Sequence, residues 1–377
     1  MLANNEQSTV LPGEMIGIIG GGQLGRMMAL SAREMGYNIA VLDPTPNCPT
    51  AQVADEHIVA AYDDENAIKQ LIEISDVVTY EFENVNVEAA RLIEEAGKLP
   101  QGTYALEVTQ NREKEKTLIN DLGLPVPQFY IVKDEESCRE ALANIPLPAV
   151  IKTCSGGYDG KGQLKIETEA DKFAAKTFAQ ENGTCIVERW VPFDKEISVV
   201  FTRTATGGLT IFPVGENKHE NHILHETIVP AEITDSVSNA AITAAMLIAS
   251  SMNIVGTFAI EMFVRGDELY INEMAPRPHN SGHYTIEACN ISQFTQHIRA
   301  ICGLPLMGVT LKNPSIMINL LGQDLDKTYT YMKEEQDGFI HLYGKADAKE
   351  NRKMGHVTFI AESLERAKEQ AAYFLNH

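Results

Sequence analysis

The sequence predicts an α/β layer with a Rossmann-like start, then a larger α+β region on antiparallel strands, and last a small β-rich module. Three observations carry this. In "MIGIIGGGQLGRMMALSAREMGYNIAVLDP" an apolar run, a glycine turn and a helical stretch lead to a second apolar run, which is a βαβ unit. The stretch "KEISVVFTRTATGGLTIFPVGENKH" alternates and is marked by turn residues, as antiparallel strands are. Finally, "GTFAIEMFV" and "ELYINEM" flank a short polar turn and read as a hairpin.

In chain order, residues 15–19 read as a strand, 24–35 as a helix and 38–42 as the next strand. A helix near 65–74, a strand at 77–79 and a helix at 87–95 close the first layer near Ala105. A highly charged helix over 112–122 ends at Gly123 and the prolines of "LGLPVPQFY". The strand "FYIV", a helix from 135 to 143 and the strand "PAVIK" lead into the loop "TCSGGYDGKGQ". "GQLKI", a helix near 170–180 and "CIVERWV" follow it. A small-residue helix over 239–251 precedes the hairpin, and a helix over 291–301 ends at Gly303-Leu304-Pro305. The end of the chain places "MINLLG", "GFIHLYGKA" and "MGHVTFIA" before a terminal helix. The expected domains are residues 1–105, 106–312 (with a subdomain at about 125–190) and 313–377; residues 1–14 receive no role.

With 377 residues the chain is long enough for two or three domains. A net charge of −21 argues against non-specific attraction to nucleic acid or anionic membrane, so an anionic ligand must be held by local cations. Six cysteines without paired spacing read as reduced thiols of a cytosolic protein.

The turn Gly20-Gly21-Gly22-Gln23-Leu24-Gly25 fits G-x-G-x-x-G, with Asp43 further on, and taken alone proposes a dinucleotide site. The glycine loop at 153–163 bares backbone N–H groups beside Lys152 and Lys161, as phosphates require; a plain hairpin loop is the alternative. In the hairpin, a loop of Gly266, Asp267 and Glu268 pairs Arg265 with Leu269. That sets Glu261 opposite Glu273, with Cβ atoms about 5 Å apart. Two such carboxylates repel unless a cation lies between them, and hard oxygen ligands select Mg²⁺; the alternative is a solvated pair.

The stretches "YEFENV", "VIKTCSGGYDGKGQ", "VERWVPFDKEISV", "AIEMFV" and "INEMAPRPHNSGH", in this order, resemble the ATP-grasp superfamily. More narrowly, from Met15 to the C-terminus the chain resembles the 5-(carboxyamino)imidazole ribonucleotide synthases of purine biosynthesis, with "YEFENV" and "RPHNSGHYTIE" the specific signals. The resemblance implies an ATP-grasp architecture: a pre-ATP-grasp domain, a two-part ATP-grasp domain and a small C-terminal domain. It implies ATP and Mg²⁺, with 5-aminoimidazole ribonucleotide and bicarbonate as the other substrates. It also implies a cytoplasmic homodimer that binds neither nucleic acid nor membrane.

By the same resemblance, Gly157, Tyr158, Asp159, Gly160, Lys161, Gly162 and Gln163 form a lid over the ATP phosphates, with Lys152 and Arg112 in the same pocket. Glu188, Arg189, Trp190 and Val191 are the hinge that reads adenine, Glu196 accepts the ribose hydroxyls, and His219 and Asn272 are further nucleotide contacts. Without the family, His219 reads as a surface histidine. Glu261 and Glu273 hold the metal, while Arg277, His279 and Asn280 receive bicarbonate; an Arg–carboxylate bridge within the loop is the alternative for Arg277. Gln23, Leu24 and Glu81 contact the ribonucleotide, and Lys345, Arg352 and Lys353 its phosphate. Three rivals are weaker: a formate-dependent transformylase of similar plan, whose acceptor-site pattern differs from "YEFEN" and "PHNSGH"; a nicotinamide-dependent oxidoreductase resting on the glycine turn and Asp43, which leaves the glutamate pair and the glycine loop unexplained; and a non-catalytic nucleotide-binding module, which would have lost a metal ligand or the lid.

Overall fold

The structure is a computed structural model that describes residues 9–156, 162–335 and 337–376. Its first layer alternates β1 (Met15–Ile19), α1 (Gln23–Glu34), β2 (Asn38–Leu42), β3 (Glu56–Ile58), α2 (Glu65–Ile74), β4 (Val77–Tyr80) and α3 (Val87–Glu95). The strands are parallel in the order β3-β2-β1-β4. The chain therefore adds strands on one side of β1 and then crosses to the other, and the crevice at the carboxyl ends of β1 and β4 is where such sheets receive ligands. Asp64 starts α2 by accepting from the N–H groups of Asn66 and Ala67, whereas α1 has no side-chain cap of its own.

Helices α4 (Tyr104–Thr109) and α5 (Arg112–Asp121) lead to a smaller antiparallel sheet. It comprises β5 (Phe129–Val132), β6 (Ala149–Thr153), β7 (Gln163–Ile166) and β8 (Cys185–Arg189), in the order β5-β8-β6-β7. It is covered by α6 (Glu135–Asn144) and α7 (Asp171–Asn182). Next come β9 (Lys195–Arg203), β10 (Leu209–Ile211), β11 (Gly215–Glu220), β12 (Ile223–Val229), α8 (Asp235–Ser251), β13 (Gly256–Arg265) and β14 (Glu268–Ala275). Helices α9 (Thr285–Ala288) and α10 (Gln293–Ile301) precede the last segment: β15 (Ser315–Leu321), α11 (Leu325–Glu334), β16 (Phe339–Leu342), β17 (Lys353–Ile360) and α12 (Leu364–Asn376).

The three C-terminal strands do not make a sheet of their own. They continue the central sheet in the order β14-β13-β9-β11-β12-β15-β17-β16, with β12 and β15 as the seam. Strand β12 pairs with β11 through a two-residue turn whose Asn221 and His222 both take positive φ, the left-handed backbone that tight hairpins require. Helix starts differ from the sequence expectation where a cap decides them. Thr234 accepts from Val237 N–H and begins α8 at Asp235, and Ser292 accepts from Thr295 N–H and begins α10 at Gln293.

Val10, in the segment given no role, is buried; its N–H donates to Cys302 O at 3.0 Å and its carbonyl accepts from Tyr37 Oη at 2.9 Å. All six cysteines are free and buried. Among the described residues, no helix is long and apolar enough to cross a membrane.

Candidate active site

The Glu261–Glu273 opposition expected from the sequence is present, but by a different route. The hairpin loop is two residues, Gly266 (φ +58°) and Asp267, so Arg265 faces Glu268 and Val264 faces Leu269. That register alone would set Glu273 opposite Ile260. An irregularity between Glu261 and Met262, with Asn272 as the extra residue on β14, restores the pairing. Ile271 and Glu273 would share a face of a regular strand; across the bulge they separate, Ile271 into the core and Glu273 toward a cleft.

Burial and the facing charge of Glu273 push the Glu261 carboxyl up to about 7. Two facing carboxylates in this condition fit a divalent cation, which would relieve the repulsion. Among the described residues there is no group of three or more His, Cys, Asp or Glu side chains that could hold a metal. The pair is thus suited to an ion such as Mg²⁺ that takes one or two carboxylates and draws its remaining oxygens from phosphates and water.

The same cleft is lined by Glu83, Arg112, Cys154, Arg277 and His279. Arg277 Nε donates to Glu83, and its Nη1 donates to Pro278 O at 3.1 Å. An Arg–carboxylate bridge therefore exists, but its acid is Glu83, outside the loop, and it engages the guanidinium through Nε. His279 Nδ1 accepts from Ser281 N–H at 3.3 Å and lies 2.9 Å from Ser281 Oγ, which assigns the ring proton to Nε2, 3.5 Å from Glu261 Oε1. Burial, with the Arg277 and Lys353 charges, holds the His279 pKa well below the imidazole value, so the ring is a neutral donor. Asn280 is buried, and neither its Oδ1 nor its Nδ2 has a partner among the described residues. An orphaned buried amide next to a cleft calls for a ligand.

A buried chain of charges joins α5, β6 and β8. Glu188 at the end of β8 meets Lys152 Nζ at 2.6 Å and Lys116 Nζ at 3.1 Å. Burial alone would raise the Glu188 pKa; the two ammonium groups hold it far below the carboxylate range. Arg112 Nη1 stands 3.8 Å from Glu273 Oε2. In the expected hinge, Arg189 N–H and Trp190 N–H already donate to Gln128 O and Pro148 O, and Val191 O accepts from Phe193 N–H at 2.9 Å, so the Val191 group left for a ligand is its N–H. Glu196 and His219 hydrogen-bond directly. Burial opposes protonation of His219, but Glu196 and Glu261 raise its pKa above the ordinary value. The surface-histidine reading does not hold: the ring is half-buried and paired with Glu196.

Of the expected lid, Gly157, Tyr158, Asp159, Gly160 and Lys161 lie outside the described residues. Gly162 has φ +71° and its carbonyl accepts from Thr153 N–H, and Gln163 pairs with Lys152 across β6 and β7.

The glycine turn is filled from within. Glu81 at the end of β4 accepts from Gly22 N–H and, at 2.7 Å, from Gly25 N–H, so a side-chain carboxylate caps α1 where a pyrophosphate would sit. Asp43 accepts from Gly21 N–H (2.7 Å), Thr45 N–H (2.7 Å) and Tyr62 Oη–H (2.5 Å), so it holds the turn together and is not available to a ribose. The dinucleotide reading fails on both counts. Leu24 packs its side chain into the core, leaving only its backbone for a ligand, and Gln23 is half-buried at the crevice.

Lys345 comes to the same place from the far end of the chain. Burial, helped by Arg352 and Lys353, lowers its pKa to about 8 against the opposing pull of Glu81. Its Nζ donates to Lys353 O at 2.7 Å, and Arg352 is exposed beside it. The loop is fastened to the first layer by Gln52 Nε2 donating to Gly344 O at 2.8 Å. Gly344 has φ +74°, and a Cβ there would come within 2.3 Å of Gln52 Oε1.

Sequence reasoning passed over Glu83, Glu115 and Lys116. Glu83 is the second acid of the quoted "YEFENV", and Lys116 follows Arg112 at helical spacing in the charged helix expected over 112–122, so both signals were present in the sequence.

Comparison with known proteins gives three domain matches. Residues 14–110 match the ribonucleotide synthetase preATP-grasp domain, 117–294 the ATP-grasp domain and 315–370 the phosphoribosylaminoimidazole carboxylase C-terminal domain. An N5-carboxyaminoimidazole ribonucleotide synthase of Bacillus subtilis is 48% identical over 94% of this chain and 93% of its own length. The crystal structure of N5-carboxyaminoimidazole synthetase from Staphylococcus aureus complexed with ADP matches with a TM-score of 0.92 and 42% identity, covering 97% of this chain and 98% of that one. The Aspergillus clavatus N5-carboxyaminoimidazole synthase, in complex with ADP and 5-aminoimidazole ribonucleotide, matches at 28% identity with a TM-score of 0.89, covering 96% of this chain and 98% of that one.

Proposed function

Because the chain belongs to the N5-carboxyaminoimidazole ribonucleotide synthase family, we propose a division of its cleft among ATP, bicarbonate and the ribonucleotide. The protein is an ATP-dependent carbon–nitrogen ligase that carboxylates 5-aminoimidazole ribonucleotide in purine biosynthesis. ATP lies between the small antiparallel sheet and the central one. Val191 meets adenine, Glu196 with His219 the ribose, and Lys152 and Arg112 the phosphates. A magnesium ion held by Glu261 and Glu273 would neutralise charge on the transferring phosphoryl group when bound.

Bicarbonate sits against the Nη2 of Arg277, His279 Nε2–H and the Asn280 amide, a set of polar groups suited to a small anion. A bicarbonate oxygen attacks the γ-phosphorus and the bond to the ADP oxygen breaks, giving carboxyphosphate and ADP. The exocyclic amine of the ribonucleotide then attacks the carboxyl carbon, or CO₂ released from it, loses a proton, and phosphate leaves. Gln23, the Leu24 backbone and Glu81 orient the ribonucleotide, and Lys345, Arg352 and Lys353 take its phosphate.

One observation carries this division: Glu81 fills the glycine turn while Lys345, from the far end of the sequence, lies close enough to feel its charge. A site so built suits a sugar phosphate bridging both ends of the chain. Domain bounds at 1–105, 106–312 and 313–377, a homodimer and a cytoplasmic setting belong to the same proposal, the assembly being checked by sedimentation. The direct test measures phosphate release from ATP with each substrate omitted in turn. Stimulation that needs both bicarbonate and 5-aminoimidazole ribonucleotide is expected; turnover indifferent to either would overturn the reading.

A further inference from the structure

We infer that Glu115 and Lys116, neighbours on α5, are positioning residues that hold the bulged segment of β14 so that Glu273 faces Glu261. The inference rests on the metal reading of that carboxylate pair. A bulge leaves backbone groups without ladder partners, and something else must satisfy them. Lys116 Nζ donates to Asn272 O at 2.6 Å and lies 3.3 Å from Ile271 O, and Glu115 Oε1 accepts from Met274 N–H at 2.7 Å. Side chains of one helix thus bind β14 on both sides of Glu273.

Both are fully buried, where a charged side chain is costly unless it is well partnered, and packing alone would be served by an apolar residue. The third partner of Lys116 is Glu188, which also holds Lys152, so one nitrogen links the bulge to the strand end beside the lysine assigned to phosphate. The platform is itself fixed. Asn111 caps α5 by accepting from Glu113 N–H and Lys114 N–H, and Arg112 N–H donates to Cys154 O at 2.9 Å. Without these contacts β14 is free to relax to the regular register of its loop, which would carry Glu273 away from Glu261.

The test uses the full-length protein with Mn²⁺ as the probe, counting free Mn²⁺ by electron paramagnetic resonance in the presence of ADP. Lys116→Met is expected to weaken Mn²⁺ retention by about tenfold or more, the range for residues that orient metal ligands, while calorimetric affinity for 5-aminoimidazole ribonucleotide stays within about twofold. Glu115→Ala should act in the same direction. Glu115→Gln, whose amide oxygen still accepts the Met274 N–H, should stay near the wild type. A folded Lys116→Met protein that retains Mn²⁺ normally, or that loses the ribonucleotide equally, overturns the inference, as does Glu115→Gln matching Glu115→Ala. If Lys116→Met does not fold, the Glu115 pair decides. Glu273→Gln separates the two layers: should it leave Mn²⁺ binding unchanged, the metal reading falls and the inference with it.

Discussion

Burial and two neighbouring cations hold Lys345 at about 8, so its charge is lost at a pH where an ordinary lysine keeps it. A phosphate monoester, with its second pKa near 6, is already a dianion throughout that range. Below about 8 the ammonium and the dianion attract; as pH rises through 8 the proton leaves and the attraction goes with it. The apparent Michaelis constant for 5-aminoimidazole ribonucleotide should therefore climb between about pH 8 and 9.5, approaching tenfold per unit, while that for ATP stays flat. Lys345→Arg should flatten the profile because a guanidinium does not titrate there. The same slope in both proteins would remove Lys345 from the phosphate site. At the other reacting centre, Glu273→Gln takes away one of the two facing carboxylates. ATP turnover should fall by more than about tenfold with the melting curve preserved, and a larger residual rate would sink the metal assignment.

The glycine turn shows how an element is shaped by what it must admit. Gly22 has φ −79°, a value open to any residue, so a glycine is not required there by backbone conformation. A Cβ, however, would lie 2.5 Å from Glu81 Oε1 and push the carboxylate off the N-terminus of α1. Gly22→Ala should then cost roughly the 1.5 to 3 kcal/mol of a charge-assisted contact, read as a tenfold or greater rise in the Michaelis constant for the ribonucleotide with ATP unaffected. Unchanged ribonucleotide kinetics would mean that Glu81 has no part in orienting it. The hairpin of β13 and β14 illustrates the converse, since a two-residue loop and a one-residue bulge together give the pairing that a three-residue loop would have given alone.

Across the whole molecule, the proposed ribonucleotide site draws on residues near both ends of the chain, and the proposed nucleotide site on its middle. Arg352→Ala removes an exposed guanidinium whose Nη1 donates to Asp347 O at 2.9 Å, so the fold should tolerate the change. Its cost should fall on the ribonucleotide, with a Michaelis constant raised about tenfold or more and that for ATP held within about twofold. The opposite pattern would place the basic cluster on the ATP side and undo the division of the cleft.

What the sequence determined by itself was local in character. The βαβ unit with its glycine turn, the acids of the hairpin, the donors of "RPHNSGH" and the cations of "YGKADAKENRK" are each written in a few consecutive residues, where periodicity and residue type suffice. Tertiary structure decided the rest, because contacts between distant segments are settled by packing and by the need to satisfy every buried polar group. It set the Glu81 carboxylate onto the amides of α1 and gave Glu83 an edge of Arg277. It also joined β15, β16 and β17 to the central sheet. The bulge at Asn272 belongs here too: the carbonyls of Ile271 and Asn272 and the N–H of Met274 find their partners on α5, a helix more than a hundred residues away in sequence, and no local pattern in β14 records that choice.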